Sequence, residues 1–141
     1  MFVGESMIML SSTPLIANSS DNQFQVNMMA IVGYQLVQEK LVKIMANTQA
    51  VTLMAFRISK MVEEGNVTIG QIAMTKAWIS ERLRDIAKWG REIMGGNGIQ
   101  HDNYLMKAVA DAEAIYTYEG TYDINALVAG RELTGIPAFK K

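Results

Sequence analysis

Apolar residues recur at steps of three and four through most of the chain, and this spacing predicts helices. The first predicted helix covers residues 27–64, which contain no Pro. Its predicted inner face carries Val37, Leu41, Ile44, Thr48, Val51, Ala55, Ile58 and Val62. The helix is expected to stop at Gly65 and Asn66, because a Gly followed by Asn is a common helix end.

Three more helices are predicted after this stop. Thr68 and Gln71 have the spacing of a capping box, which predicts the start of a second long helix. Its predicted inner face holds Ile72, Ile79, Leu83, Ile86, Gly90 and Ile93, while charged residues including Lys76 lie on the other faces. The third is predicted over 102–112 with Leu105, Val109 and Ala112 inside, and the fourth after Thr121 with Ile124, Leu127 and Val128 inside. Long helices with short connections pack antiparallel, so the sequence predicts an all-α, up-and-down four-helix bundle.

Composition and charge limit the classes of partner. The formal net charge is −1, which gives no electrostatic reason to expect nucleic acid. The chain has no Cys and one His, too few for a disulfide framework or a zinc site. Residues 1–24 are predicted to be a weakly ordered leader before a bundle at 25–141. Glu5 interrupts the apolar start and Pro14 follows, so neither a signal peptide nor a membrane span is expected.

Candidate chemistry is concentrated in a short aromatic segment between the third and fourth helices. Glu119 is flanked by Tyr116, Tyr118 and Tyr122, whose rings are expected to surround it. Desolvation raises the pKa of a carboxyl group toward neutrality, where the group can act as a general base. The alternative is that Glu119 is an ordinary solvated turn residue.

The residues after Glu119 favour a ligand at this place. Gly120 leaves room for a ligand beside the backbone. Thr121 is a typical helix N-cap, and Asp123 falls in the first turn. The fourth helix is therefore expected to direct its positive dipole end toward the site.

Three motifs in a fixed order resemble a known family. The segment Tyr118-Glu119-Gly120-Thr121 follows Arg91-Glu92-Ile93-Met94-Gly95-Gly96-Asn97-Gly98 and precedes Gly130-Arg131-Glu132. Together they are similar to the C-terminal part of the acyl-CoA dehydrogenase and oxidase family, over about residues 35–139. The string 116–125 is most similar to the glutaryl-CoA dehydrogenase and plant short-chain acyl-CoA oxidase branches.

The resemblance implies flavin-dependent α,β-dehydrogenation of a short acyl-CoA thioester, as in fatty-acid or amino-acid catabolism. Glu119 would be the catalytic base. The residues implied to contact FAD are Glu92, Gly95, Gly96, Thr121, Tyr122 and Asp123, and those implied on the substrate side are Tyr118, Gly120 and Arg131.

Several of these positions have a second interpretation. The Gly95-Gly96 stretch is also typical of a helix C-cap that needs positive φ. Arg131 is either a surface residue paired with Glu132 or Asp123, or a cation inside the protein near Glu119. Glu92 stands where the family has Gln, and residues 21–33 lack the Arg that binds the flavin diphosphate in the family.

The resemblance also implies partners and a compartment. A homo-oligomer, dimer or tetramer, is expected, with a flavoprotein electron carrier or oxygen as the acceptor. The compartment would be the peroxisome or the mitochondrion. The rival hypothesis is a catalytically incomplete assembly module that binds no flavin alone, because the family's N-terminal helical domain and middle β-domain have no counterpart in this sequence.

Overall fold

The structure, a computed structural model, describes residues 30–137 and builds them from helices, with no strand in this range. The helices are α1 (Gln35–Glu63), α2 (Ile69–Ile93), α3 (Leu105–Thr117) and α4 (Tyr122–Thr134), with 3-10 segments at Gly95–Ile99 and His101–Asn103. This confirms the predicted all-α, four-helix fold. The predicted leader at 1–24 and its boundary lie outside the described residues. The chain divides into two compact units, with the boundary between Gln38 and Glu39. The contacts between helices described in the following paragraphs lie within the second unit.

Local sequence signals set the helix ends. α1 ends at Glu63, and the following Gly65 has a φ of +68°. The capping box is also confirmed: Thr68 Oγ1 accepts from Gln71 N–H at 3.2 Å, and Gln71 Oε1 accepts from Thr68 N–H at 3.0 Å. α1 begins later than predicted, because a turn at 33–34 separates it from the helical residues 30–32.

The helix α2 is central, since it packs against both α3 and α4. Its buried positions are all small: Gly70, Ala73, Thr75, Ala77 and Ser80. Ala112 is the buried residue of α3. Small side chains allow neighbouring helix axes to approach closely, which brings many backbone atoms into dispersion contact. This part of the core therefore depends on close backbone approach rather than on large apolar side chains.

The predicted inner faces are correct only in part. In α1, Ile44, Val51 and Ile58 are half-buried, whereas Leu41, Thr48, Ala55 and Val62 are exposed. Ile72, Ile124 and Leu127 were also predicted inside, but they are 42%, 43% and 39% exposed. These helices carry apolar residues on more than one stripe, and the neighbouring helices decide which stripe is covered.

A charged pair joins the start of α1 to the end of α2. Lys40 Nζ lies 2.9 Å from Glu92 Oε2, and Lys43 Nζ lies 5.5 Å from the ring centroid of Trp89. The two long helices are therefore antiparallel, as predicted. The hydrogen bond from Lys40 lowers the pKa of Glu92 below its ordinary value, and the nearby charge of Arg91 acts in the same direction.

The start of α2 is bound by a carboxylate from α4. Glu132 Oε2 accepts from the Gly70 N–H at 2.8 Å, and Glu132 Oε1 accepts from the Thr68 hydroxyl. A negative charge is favourable there because helix N-termini carry partial positive charge. A side chain at Gly70 would displace Glu132, since an added Cβ would lie 2.5 Å from Glu132 Cδ and 2.8 Å from its Cβ.

We therefore expect Gly70→Ala to lower the free energy of unfolding by about 1–3 kcal/mol, because it overpacks this contact and displaces the carboxylate. The matched control is Gly130→Ala in α4, where a Cβ would meet nothing within 4 Å. This control should raise stability by about 0.5–1 kcal/mol through helix propensity. Urea unfolding followed by circular dichroism gives both values, and two changes of the same sign would contradict the prediction.

We also expect Lys40→Met to raise the pKa of Glu92 toward the ordinary value of 4.5. Because the folded pKa is depressed, the pair stabilises the fold above the unfolded pKa, and this contribution is lost as pH falls through the folded pKa. Stability of the Lys40→Met chain should accordingly fall less than that of the wild type in this acid range. Carboxyl carbon NMR titration measures the pKa, with Lys60→Met as a control for removing a lysine from α1.

Candidate functional site

Glu119 lies at the tip of the loop that joins α3 to α4. Its backbone is left-handed with a φ of 53°, and the φ of Gly120 is 86°. A left-handed conformation costs about 1–2 kcal/mol for a residue with a side chain. It persists only where surrounding contacts hold it, and such positions are concentrated at functional sites.

The tyrosine rings pack with each other instead of around Glu119. Tyr116 and Tyr122 are stacked, with centroids 5.6 Å apart and an interplanar angle of 10°. The Arg84 guanidinium carbon lies 4.1 Å from the Tyr116 centroid. Tyr118 is 53% exposed, and Glu119 is exposed as well. The predicted burial of Glu119 among rings is therefore wrong within this chain: the rings from adjoining ends of α3 and α4 meet, and the loop tip remains outside.

Two side-chain donors converge on the Gly120 carbonyl oxygen. Lys76 Nζ lies 2.6 Å from it and Asn125 Nδ2 lies 2.8 Å from it. Lys76 Nζ is also 3.5 Å from the Tyr116 carbonyl oxygen. Lys76 was predicted to lie on an outer face of its helix, but its side chain is half-buried. The signal in the sequence was that its two neighbours, Thr75 and Ala77, are small, which favours close contact with a neighbouring helix.

The start of α4 forms as predicted. Thr121 is the N-cap, and its side chain accepts from the Ile124 N–H at 3.4 Å. Asp123 lies in the first turn and is exposed, while Tyr122 is half-buried by the ring stack. Asn125 Nδ2 donates to the Thr121 carbonyl at 3.0 Å, which connects the cap to the loop.

The glycine loop, Gly95-Gly96-Asn97-Gly98, follows the C-terminal end of α2. Gly95 has a φ of +54°, as the C-cap interpretation requires. A Cβ at Gly95 or Gly96 would meet nothing within 4 Å, and both residues are exposed. Gly98 is buried, and a Cβ there would lie 2.3 Å from the Arg91 carbonyl oxygen. The loop therefore presents open backbone at its first two glycines and packs onto α2 at Gly98.

The predicted site residues form two groups. Lys76, near the start of α2, contacts the loop that carries Glu119. Gly95 lies just beyond the opposite end of the same helix, which finishes at Ile93. The helix between Lys76 and Ile93 is continuous and spans roughly 25 Å at a rise of about 1.5 Å per residue. One copy of the chain does not bring Glu119 and the glycine loop together.

Arg131 is exposed in the last turn of α4. Of the two interpretations, the exposed side chain agrees with a surface position and not with a cation inside this chain near Glu119. No ion pair joins it to Asp123 or Glu132 within residues 30–137, and Glu132 binds the start of α2 instead. A role for Arg131 toward substrate stays a prediction.

A cleft of about 400 Å³ lies between α2 and α3. Its charged lining comprises Arg84, Lys88, Arg91, Glu81, Asp85 and Glu113. Acyl chains require apolar walls, so this cleft is unsuited to them. In the described range, helices that combine the length and apolarity needed to cross a membrane are absent. Clusters of three or more potential metal ligands from His, Cys, Asp and Glu are also absent there.

Comparisons with known proteins agree with this architecture. The family model for the acyl-CoA dehydrogenase C-terminal domain matches residues 20–134. Mitochondrial isovaleryl-CoA dehydrogenase from Bos taurus is 26% identical over 98 residues, which are 70% of this chain and 23% of the relative.

Two solved structures of glutaryl-CoA dehydrogenase from Mycobacterium smegmatis are similar. The first has a TM-score of 0.75 and 29% sequence identity, and the matched region is 78% of this chain and 28% of the chain in that structure. The other, a complex with FADH2, has a TM-score of 0.73 and 30% identity, with coverages of 77% and 28%. The chain thus spans about a quarter of the length of these relatives. The family model covers most of the chain, including both motif groups, so the chain belongs to the acyl-CoA dehydrogenase family and contains its C-terminal domain.

Proposed function

We propose that the chain supplies the base for α,β-dehydrogenation of a short acyl-CoA thioester. The observation that carries this proposal is the loop of Glu119: an exposed carboxylate on a left-handed backbone whose next carbonyl is held by Lys76 and Asn125. A ligand approaching from outside the chain can reach the carboxylate. The match over residues 20–134, which includes this loop, supports the family's reaction.

In this reaction the Glu119 carboxylate takes the proton from the carbon next to the thioester carbonyl. The Glu119 backbone N–H can donate to that carbonyl oxygen, which stabilises the negative charge that develops on it. Tyr118 and Gly120 flank the base and are proposed to contact the substrate.

The proposed cofactor is FAD, which when bound supplies the acceptor for the β-hydrogen and its electron pair. Open backbone at Gly95 and Gly96 fits close approach by a flat ligand. Glu92 is paired with Lys40, so its negative charge is compensated near this loop. Thr121, Tyr122 and Asp123 are proposed to lie on the flavin side of the base. The relative solved in complex with FADH2 supports FAD as the cofactor.

We propose a homo-oligomer as the active form. The Glu119 loop and the glycine loop are separated by roughly 25 Å of α2. A second copy can place its own glycine loop beside the first copy's Glu119. Because the named relatives are dehydrogenases and one is mitochondrial, an electron carrier is favoured over oxygen and the mitochondrion over the peroxisome.

One observation favours the rival function, a helical assembly module that binds no flavin. Four large apolar residues on the outside of α1 are exposed: Val42 at 67%, Met45 at 59%, Leu53 at 60% and Phe56 at 61%. Such a surface serves protein association. Under this hypothesis the purified chain stays colourless when FAD is added, and acyl-CoA causes no spectral change.

The test begins with the full chain, FAD, and glutaryl-CoA or isovaleryl-CoA as the added thioester. We expect flavin absorbance to be retained after gel filtration and to bleach with thioester. Glu119→Gln should lower the bleaching rate by roughly a hundredfold or more, because the α-proton loses its acceptor, while flavin uptake is kept. Glu64→Gln, an exposed residue at the end of α1, is the control. An unchanged rate in Glu119→Gln would remove this residue from the mechanism.

For Arg131 we expect Arg131→Ala to lower the same bleaching rate more than it lowers helix content. The side chain is exposed, so its removal should leave the fold nearly intact. Stopped-flow absorbance and far-ultraviolet circular dichroism measure the two quantities. Proportional losses of rate and helix content would indicate a structural role alone.

A further inference from the structure

We propose that Lys76 is a positioning residue that fixes the Glu119 loop by holding the carbonyls on both sides of it. The inference rests on the proposed function for its catalytic consequence, but the contacts that carry it are independent of that function. Lys76 Nζ lies 2.6 Å from the Gly120 oxygen and 3.5 Å from the Tyr116 oxygen. One ammonium group on α2 therefore contacts the end of α3 and the residue after Glu119.

The loop needs such a contact because two successive residues are left-handed. The φ angles are 53° at Glu119 and 86° at Gly120. Gly120 adopts this region freely, but Glu119 does not, so the segment would relax if its ends were released. A hydrogen bond from a charged donor is stronger than a neutral one, and partial burial strengthens it further.

The position of the ammonium also accounts for the exposure of Glu119. Lys76 draws the Tyr116 and Gly120 carbonyls toward α2, and Glu119 lies between them along the chain with its side chain exposed. The carboxylate thus stays exposed on a loop whose flanking carbonyls are held from α2. Asn125 donates to the same Gly120 oxygen at 2.8 Å, so the carbonyl is held by two donors from different helices.

A plain capping role is the competing interpretation, because a cation near the last turn of α3 is favourable to any helix. Capping alone predicts that Lys76→Met destabilises α3 without changing the loop selectively. Positioning predicts a selective change at the loop and in turnover. The two are separated by amide exchange and by the division of the kinetic effect between kcat and KM.

The experiment uses the full 15N-labelled chain with Lys76→Met and Lys76→Arg, and Lys88→Met as the matched control on the same helix. The readout is exchange of the Tyr118 N–H, which donates to the Ala114 carbonyl at 2.9 Å, and of the Asn125 N–H, which donates to the Thr121 carbonyl at 3.0 Å. We expect both to exchange about tenfold faster in Lys76→Met, with amides in the middle of α2 and of α3 unchanged. Lys76→Arg should restore most of the protection. Exchange equal to that of Lys88→Met would overturn the proposal.

The kinetic arm uses FAD, glutaryl-CoA or isovaleryl-CoA, and an artificial electron-acceptor dye that reoxidises the reduced flavin after each turnover. Lys76→Met should lower kcat about tenfold to a hundredfold with KM changed less than about threefold, because misplacing the base affects the chemical step more than binding. Lys76→Arg should recover most of kcat. A rise in KM at unchanged kcat would overturn the positioning role. If the wild-type chain shows no turnover, the proposed function fails, while the exchange comparison still decides whether Lys76 holds the loop.

A second variant tests the proposal independently if Lys76→Met fails to fold. Asn125→Ala removes the other donor to the Gly120 oxygen and keeps the half-buried charge of Lys76. It should produce the same selective exchange at Tyr118 in a smaller amount, about threefold. Protection of that amide unchanged from wild type would overturn the idea that the donors at this carbonyl hold the loop.

Discussion

The close approach of α3 and α4 to α2 is the constraint on which the rest of the structure depends. It is made possible by small residues such as Ala73, Ala77 and Ser80, which are the buried positions of α2 along this stretch. Close approach lets side chains from α2 reach the backbone of the neighbouring elements. Lys76 reaches the Gly120 carbonyl in this way, and Gly70 admits the Glu132 carboxylate to its N–H.

This constraint explains what the sequence could and could not predict. The capping box at Thr68, the stop at Gly65 and the N-cap at Thr121 depend on residues a few positions away, so local pattern was sufficient for them. The covered faces depend on neighbours distant in sequence. Ile72 and Ile124 satisfy the helical period equally well inside or outside, and packing on small residues left both partly exposed.

The same difference between local and long-range features applies to the candidate site. Motif order identified Glu119 and the glycine loop, and the resemblance predicted their family correctly. The surroundings of Glu119 were harder to predict, because the ring of Tyr116 stacks on Tyr122 instead of packing beside the carboxylate. Lys76 was missed because a lysine on a helix is usually solvated, and only the contacts across helices reveal its role.

The ring stack has a practical consequence beyond packing. Tyr116 belongs to α3 and Tyr122 to α4, so the stacked pair spans the segment that carries Glu119. Coupled aromatic chromophores in a fixed orientation give an optical signal that vanishes when their geometry is lost. The near-ultraviolet circular dichroism of these two rings is thus a built-in, label-free gauge of whether that segment is ordered, and it works with or without any bound ligand.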